Sequence, residues 1–139
     1  MDSYLAGLFD GEGSVSITGY PHTRLTLALA MTTPAPFPLL VERLGGRWYT
    51  SNRRTVTGKS VYRWDVVGTT AKRAVRILLP KCVVKAPQLR LANELIGLLE
   101  AQKQRLGRVY AGRGRKLHPH EAELRNVIAL TNRQLNGTV

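Results

Sequence analysis

Nine residues near the N-terminus, Leu5-Ala6-Gly7-Leu8-Phe9-Asp10-Gly11-Glu12-Gly13, constrain this chain more than any other stretch. They begin as an apolar helical turn and end in two acids interleaved with two glycines. An alternating segment, Ser14-Val15-Ser16-Ile17-Thr18, comes directly after and reads as a half-buried strand. Gly7 and Gly11 are four apart and share one helix face, where a partner backbone can approach closely. The acids at the helix end have little to pack against, and carboxylate oxygens suit a hard divalent cation.

Glycines and prolines punctuate the rest of the chain. A turn at 19–22 leads to a returning strand at 24–31, with Leu25, Leu27, Leu29 and Met31 on one face. A short helix over 37–44 closes at Gly45-Gly46. Two further strands are expected over 47–53 and 61–67, joined by a loose connection containing Gly58. A helix comes after Gly68-Thr69-Thr70, with either Thr as its cap, and Pro80 stops it. Pro87 suits the first position of a long helix to about residue 106, with Leu91, Leu95, Leu98 and Leu99 as its apolar stripe. A last helix starts near Pro119, and Leu124, Val127, Ile128 and Leu135 are its expected buried face. Asp2 or Ser3 is the expected cap of the first helix.

The 139 residues suffice for one folded domain, and 43% of them are hydrophobic. No apolar run is long enough to span a membrane. The opening residues lack a basic run, so no secretory signal is expected. The lone Cys82 makes no internal disulfide, and a reducing compartment fits. The net charge is +12 and is unevenly placed. Residues 47–116 hold seventeen basic against three acidic side chains. A field of that sign and density favours polyanions, nucleic acid first.

The nine-residue motif resembles the signature of the LAGLIDADG homing endonucleases. Leu5-Ala6-Gly7-Leu8 matches letter for letter, Phe9 replaces an aliphatic residue, and Asp10-Gly11-Glu12-Gly13 stands for Asp-Ala-Asp-Gly. The resemblance extends over residues 3–99. It implies an α+β fold in the order helix, hairpin, helix, hairpin, helix. Four antiparallel strands would form a saddle, with helices on its convex face and C-terminal helices added. The whole of 1–139 would be one endonuclease domain, with its core at 1–100 and a basic linker and closing helix at 101–139.

The resemblance also implies a function: site-specific, magnesium- (or manganese-) dependent double-strand breaks in a long, roughly palindromic DNA duplex. Such proteins move introns or inteins. The alternative is a relative that has lost cleavage and acts as an RNA maturase or a transcriptional regulator. A host cytoplasm or an organelle is the expected location, without secretion. Glu12 matches the metal-binding acid of the family, and the Gly11 carbonyl also faces the metal. Asp10 is more often structural. Lys85, with Lys81 as fallback, matches a lysine near the active site, and Thr33 a solvent-orienting polar residue. One motif per chain implies a homodimer packed along Ala6, Gly7, Asp10 and Gly11, though a nicking monomer or a different partner chain is also compatible.

DNA contacts are expected from the polar face of the sheet. In the first hairpin that face is Ser16, Thr18, Arg24 and Thr26, with Tyr20 and His22 at the tip. In the second hairpin alternation leaves two choices, Arg47, Tyr49, Ser51 and Arg53 or Trp48, Thr50 and Asn52. Arg53, Arg54, Lys59 and Arg63 are expected near phosphates or base edges either way. Trp48 and Trp64 are expected in the core. The basic stretch 103–116 offers phosphate contacts, and His118-Pro119-His120 lacks a third metal ligand nearby.

Overall fold

The computed structural model describes residues 1–106 and 119–137, and the side chains at 52, 53 and 106 lie outside it. The basic stretch beyond residue 106, including Lys116 and His118, therefore lies outside the described residues.

The chain runs α1 (Asp2–Glu12), β1 (Gly13–Thr18), β2 (Arg24–Met31), α2 (Phe37–Leu44), β3 (Arg47–Arg54), β4 (Ser60–Val67), α3 (Gly68–Leu78), α4 (Ala86–Leu106) and α5 (Pro119–Gly137). The strands form one antiparallel sheet in the order β1-β2-β4-β3. Its register defines two faces, because partners across an antiparallel pair point to the same side. One row is Gly13, Leu29, Trp64 and Trp48, and the next is Ser14, Ala28, Asp65 and Arg47.

The first row belongs to the face that the helices cover. Val15, Leu27, Leu29, Trp64 and Val66 are buried there with Phe9 of α1, Leu40 of α2, Val75 of α3 and Leu89 of α4. Trp64 is fully buried, and its indole N–H donates to the Gly45 carbonyl at 2.8 Å. Trp48 differs from expectation. It stacks on Phe37 at 5.7 Å, yet it sits on edge strand β3 and remains 40% exposed. The second row belongs to the face left open.

Several local expectations are corrected. Neither Asp2 nor Ser3 caps α1. Met1 holds that position, while Asp2, inside the helix, takes two hydrogen bonds from Arg43 at 2.7 and 3.0 Å. No threonine caps α3, which starts at Gly68 with φ +62° after an extended Val67. The buried stripe of α4 is Leu89, Ala92, Leu95 and Ile96, rotated around the helix from the expected one with Leu95 in common, while Leu91, Leu98 and Leu99 are only half-buried.

The largest difference is α5. Of its expected buried face Ile128 is buried and Leu135 half-buried, but Leu124 and Val127 are about half exposed, and Glu121, Ala129 and Asn132 face inward instead. The cause is the surface it packs on. β1 is an edge strand, and Asn132 and Asn136 both donate to the Val15 carbonyl, at 3.0 and 2.8 Å. Arg125 reaches Thr23 and Gln102 from the same helix. Polar groups thus turn α5 toward the strand it shields.

Candidate functional site

Two surfaces meet at the end of α1. The first is the helix itself. Leu5, Ala6 and Phe9 are buried, while Ser3, Tyr4, Gly7 and Gly11 are exposed. A Cβ at Gly7 or Gly11 would meet nothing within 4 Å. These glycines are therefore not required by packing inside this chain. Ala6 belongs to the opposite side. It is 1% exposed, and its carbonyl accepts the Cys82 thiol at 3.5 Å, so the smooth outer stripe does not include it.

Gly13 is different again. A Cβ there would stand 2.6 Å from Phe9 Cγ, so only glycine lets the chain leave the helix and enter β1 against that ring.

Asp10 and Glu12 part company here. The Asp10 carboxylate accepts the backbone N–H of Val83 and of Lys85, each at 2.9 Å. It satisfies amides of the turn that enters α4, as a cap does. Burial pushes its pKa up, but hydrogen bonds from Lys85, Val83, Cys82 and Val84 outweigh that and hold it below the usual carboxylate value. Asp10, expected along a chain–chain contact, thus has its carboxylate committed within its own chain. Cys82 sits beneath, its thiol pushed up to about 12 by burial and then by the Asp10 charge.

Glu12, two residues on, is exposed, and among the described residues its carboxylate makes no hydrogen bond or ion pair. It stands at a helix C-terminus, whose last carbonyls, that of Gly11 among them, lack intrahelical partners. The same end holds Lys85, drawn in by its amide bond to Asp10. Thr33 is exposed in the loop just beyond β2, at the sheet end where Gly13 pairs with Leu29. No hydrogen bond joins the side chains of Glu12, Lys85 and Thr33 to one another.

No group of three or more His, Cys, Asp or Glu side chains among the described residues could hold a metal. One free carboxylate and a carbonyl per chain still fit magnesium. That ion keeps several waters and takes one or two carboxylates, completing its shell with phosphate oxygens.

The open sheet face is the second surface. Ser14, Ser16, Thr18, Arg24 and Thr26 lie on it in the first hairpin. Thr18 is fixed by its hydroxyl, which donates to the His22 carbonyl and accepts the Arg24 N–H. Tyr20 is exposed in the connecting turn. In the second hairpin, register resolves the two choices left by alternation. Arg47 and Tyr49 share the open face with Arg63 and Asp65, and Trp48 and Thr50 face the helices. A register shift interrupts β3 between Thr50 and Arg54, and Arg54 pairs with Ser60 on the Trp64 side of β4. Arg54 and Lys59 are exposed around the hairpin tip, and the Arg53 side chain lies outside the described residues.

Asp65 was not among the expected site residues. Alternation in Arg63-Trp64-Asp65 could have placed it, because a buried Trp64 puts both neighbours outward. Its carboxylate accepts the Tyr49 hydroxyl at 2.7 Å and lies 3.5 and 3.6 Å from the Nε atoms of Arg47 and Arg63. The bond to Asp65 raises the Tyr49 pKa, with burial adding to it.

No family model and no curated protein matches the sequence. Solved structures do. The chain is similar to an archaeal intron-encoded homing endonuclease, I-Vdi141I, complexed with DNA, at 15% identity and TM-score 0.73, over 99% of this chain and 85% of that one. It is similar to the homing endonuclease I-CvuI, in complex with the I-CreI target in the presence of Mg with the DNA not cleaved, at 21% identity and TM-score 0.56, over 99% and 96% of the two chains. It also matches the LAGLIDADG homing endonuclease I-GzeII in complex with its DNA target, at 14% identity and TM-score 0.65, over 96% of this chain and 43% of that one. The fold is that of the LAGLIDADG homing endonucleases.

Proposed function

We propose that the chain is a site-specific DNA endonuclease that acts as a homodimer and makes magnesium-dependent double-strand breaks in a long, roughly palindromic duplex. The observation that carries this reading is the end of α1. Glu12, exposed and unpaired among the described residues, stands beside a glycine stripe open to solvent, while the Asp10 carboxylate is used in holding the fold. DNA in complexes of the similar homing endonucleases supports the nucleic-acid partner.

Each chain brings one Glu12, and two cuts need two. Packing two α1 helices along Gly7 and Gly11 places both acids near one two-fold axis. Glu12 and the Gly11 carbonyl would hold the divalent ion. Such an ion, when bound, would supply charge neutralisation at phosphorus and make a bound water easier to deprotonate. Lys85 offers its ammonium to a phosphate oxygen, and Thr33 hydrogen-bonds solvent. The open face, Ser16, Thr18, Arg24, Thr26, Arg47 and Arg63, lies against the groove and phosphates, with Tyr20, Arg53, Arg54 and Lys59 toward its margins.

Incubation with a randomised duplex library, with magnesium in one tube and calcium in another, tests the reading. Defined double-strand ends only with magnesium are expected. Selective binding with no cuts in either tube assigns the chain to the regulators or maturases instead. Glu12→Gln removes a charge that holds nothing in the fold. It is expected to abolish cleavage while DNA affinity stays within about threefold and stability within about 0.5 kcal/mol. Lost folding in that variant would make Glu12 structural.

A further inference from the structure

Asp65 is an acid in the middle of a face whose other described charges are basic, Arg24, Arg47 and Arg63. On a surface that only attracts phosphates, a carboxylate there weakens binding. Its geometry suits a different task. Asp65 lies in register beside Arg47 on β3 and beside Ala28 on β2, while Arg63 pairs with Tyr49 and Ala30. The two alanines leave the β2 side of the carboxylate clear of long side chains.

The Asp65 side chain is only 17% exposed, whereas Arg47 is 77% exposed and Arg63 43%. Both arginines approach it through Nε. Tyr49 adds a hydroxyl bond to Oδ2, and the Arg47 guanidinium lies 5.1 Å above the centre of its ring.

An arginine held by Nε keeps both terminal nitrogens free. That pair is the fork that matches O6 and N7 of guanine in the major groove. A guanidinium fixed before binding also loses less side-chain freedom on contact. Arg47 and Arg63 stand diagonally across adjacent strands, roughly 7 Å apart at their origins. Successive bases on one strand rise by about 3.4 Å. Two forks so placed span about two base steps.

We propose that Asp65 is a specificity-determining positioning residue, which aims Arg47 and Arg63 at two guanines within about two base steps in each half-site and withholds them from phosphates. The inference rests on the DNA-reading role of the open face.

The test is selection of bound duplexes from a randomised library in calcium, followed by sequencing, for the wild-type protein, Asp65→Asn and Asp65→Glu. Wild type is expected to enrich a half-site with two guanines so spaced. Asp65→Asn, in protein that stays folded, is expected to lower the preference at those two positions by at least about fivefold. Its binding to a scrambled duplex should tighten, with a steeper salt dependence, as the freed arginines turn to phosphates. Asp65→Glu keeps the charge and moves the carboxylate outward by one methylene. It decides the matter if the asparagine variant does not fold, and the guanine preference should fall there too, with the salt dependence unchanged.

Preference retained at every position in a folded variant overturns the assignment of Asp65 while leaving the nuclease reading intact. A wild-type protein that enriches no sequence overturns the groove-reading role and this inference with it.

Discussion

Asp10 and Glu12 are chemically near-identical and two positions apart, yet one holds the fold together and the other is free. Asp10 takes two backbone amides that would otherwise go unpaired at the entry to α4. Asp10→Asn replaces one acceptor oxygen with a donor. It should cost about 1–3 kcal/mol in a urea unfolding experiment. The pH dependence has a definite sign. The folded pKa of Asp10 lies below its unfolded value of about 3.9, so its stabilisation is complete above that pH. It is lost as pH falls through the folded pKa. The asparagine variant should therefore lose less stability than wild type between neutral pH and acid. Parallel stability curves would show that Asp10 ionisation does not matter. The resemblance already marked Glu12 as the metal-binding acid and Asp10 as more often structural, but what holds Asp10, the returning 83–85 backbone, is visible only in the fold.

Among the elements, α5 departs most from its own sequence pattern. Its Leu124, Val127 and Leu130 are exposed, its hydrogen bonds to β1 come from Asn132 and Asn136, and Ile128 and Ala129 are buried. An apolar stripe marks a buried face when the docking surface is apolar. Here the docking surface is the edge of a sheet, where a bare carbonyl demands a donor. Asn132 and Asn136 serve one carbonyl, so either can partly stand in for the other. Asn132→Ala should cost about 1 kcal/mol, and the double change to alanine more than the two single costs added, because it orphans the Val15 carbonyl. Strictly additive losses in denaturant midpoints would mean that the two bonds act independently. The first hairpin contrasts with α5. Its Val15, Ile17, Leu25 and Leu27 alternate cleanly with polar residues, and both its strands and its faces were legible from the sequence. The second hairpin was not, because β3 places Trp48 on one face and Tyr49 on the other. Hydrophobicity then favours neither, and only pairing with Trp64 and Asp65 decides.

For the whole molecule, the open glycine stripe of α1 is the feature this chain leaves unused. Gly7→Leu places a large side chain where a Cβ meets nothing, so the monomer fold should be unaffected. A partner helix in close approach would be blocked. Sedimentation should show a wild-type mass near twice that of the chain and a single-chain mass for the variant. An unchanged mass would place any dimer contact elsewhere.

By itself the sequence determined the order of helices and hairpins, the first strand pair's faces, the basic middle and the motif that ends α1. These are local matters, set by period, glycine placement and charge within a few residues. Tertiary structure alone decided what holds Asp10, which side of the second hairpin is open, and which way α5 turns. It also gathered Asp65 with Arg47, Tyr49 and Arg63. Each of these depends on a partner brought in from elsewhere in the chain, and a hydrogen bond or strand register between distant segments leaves no periodic trace in either one.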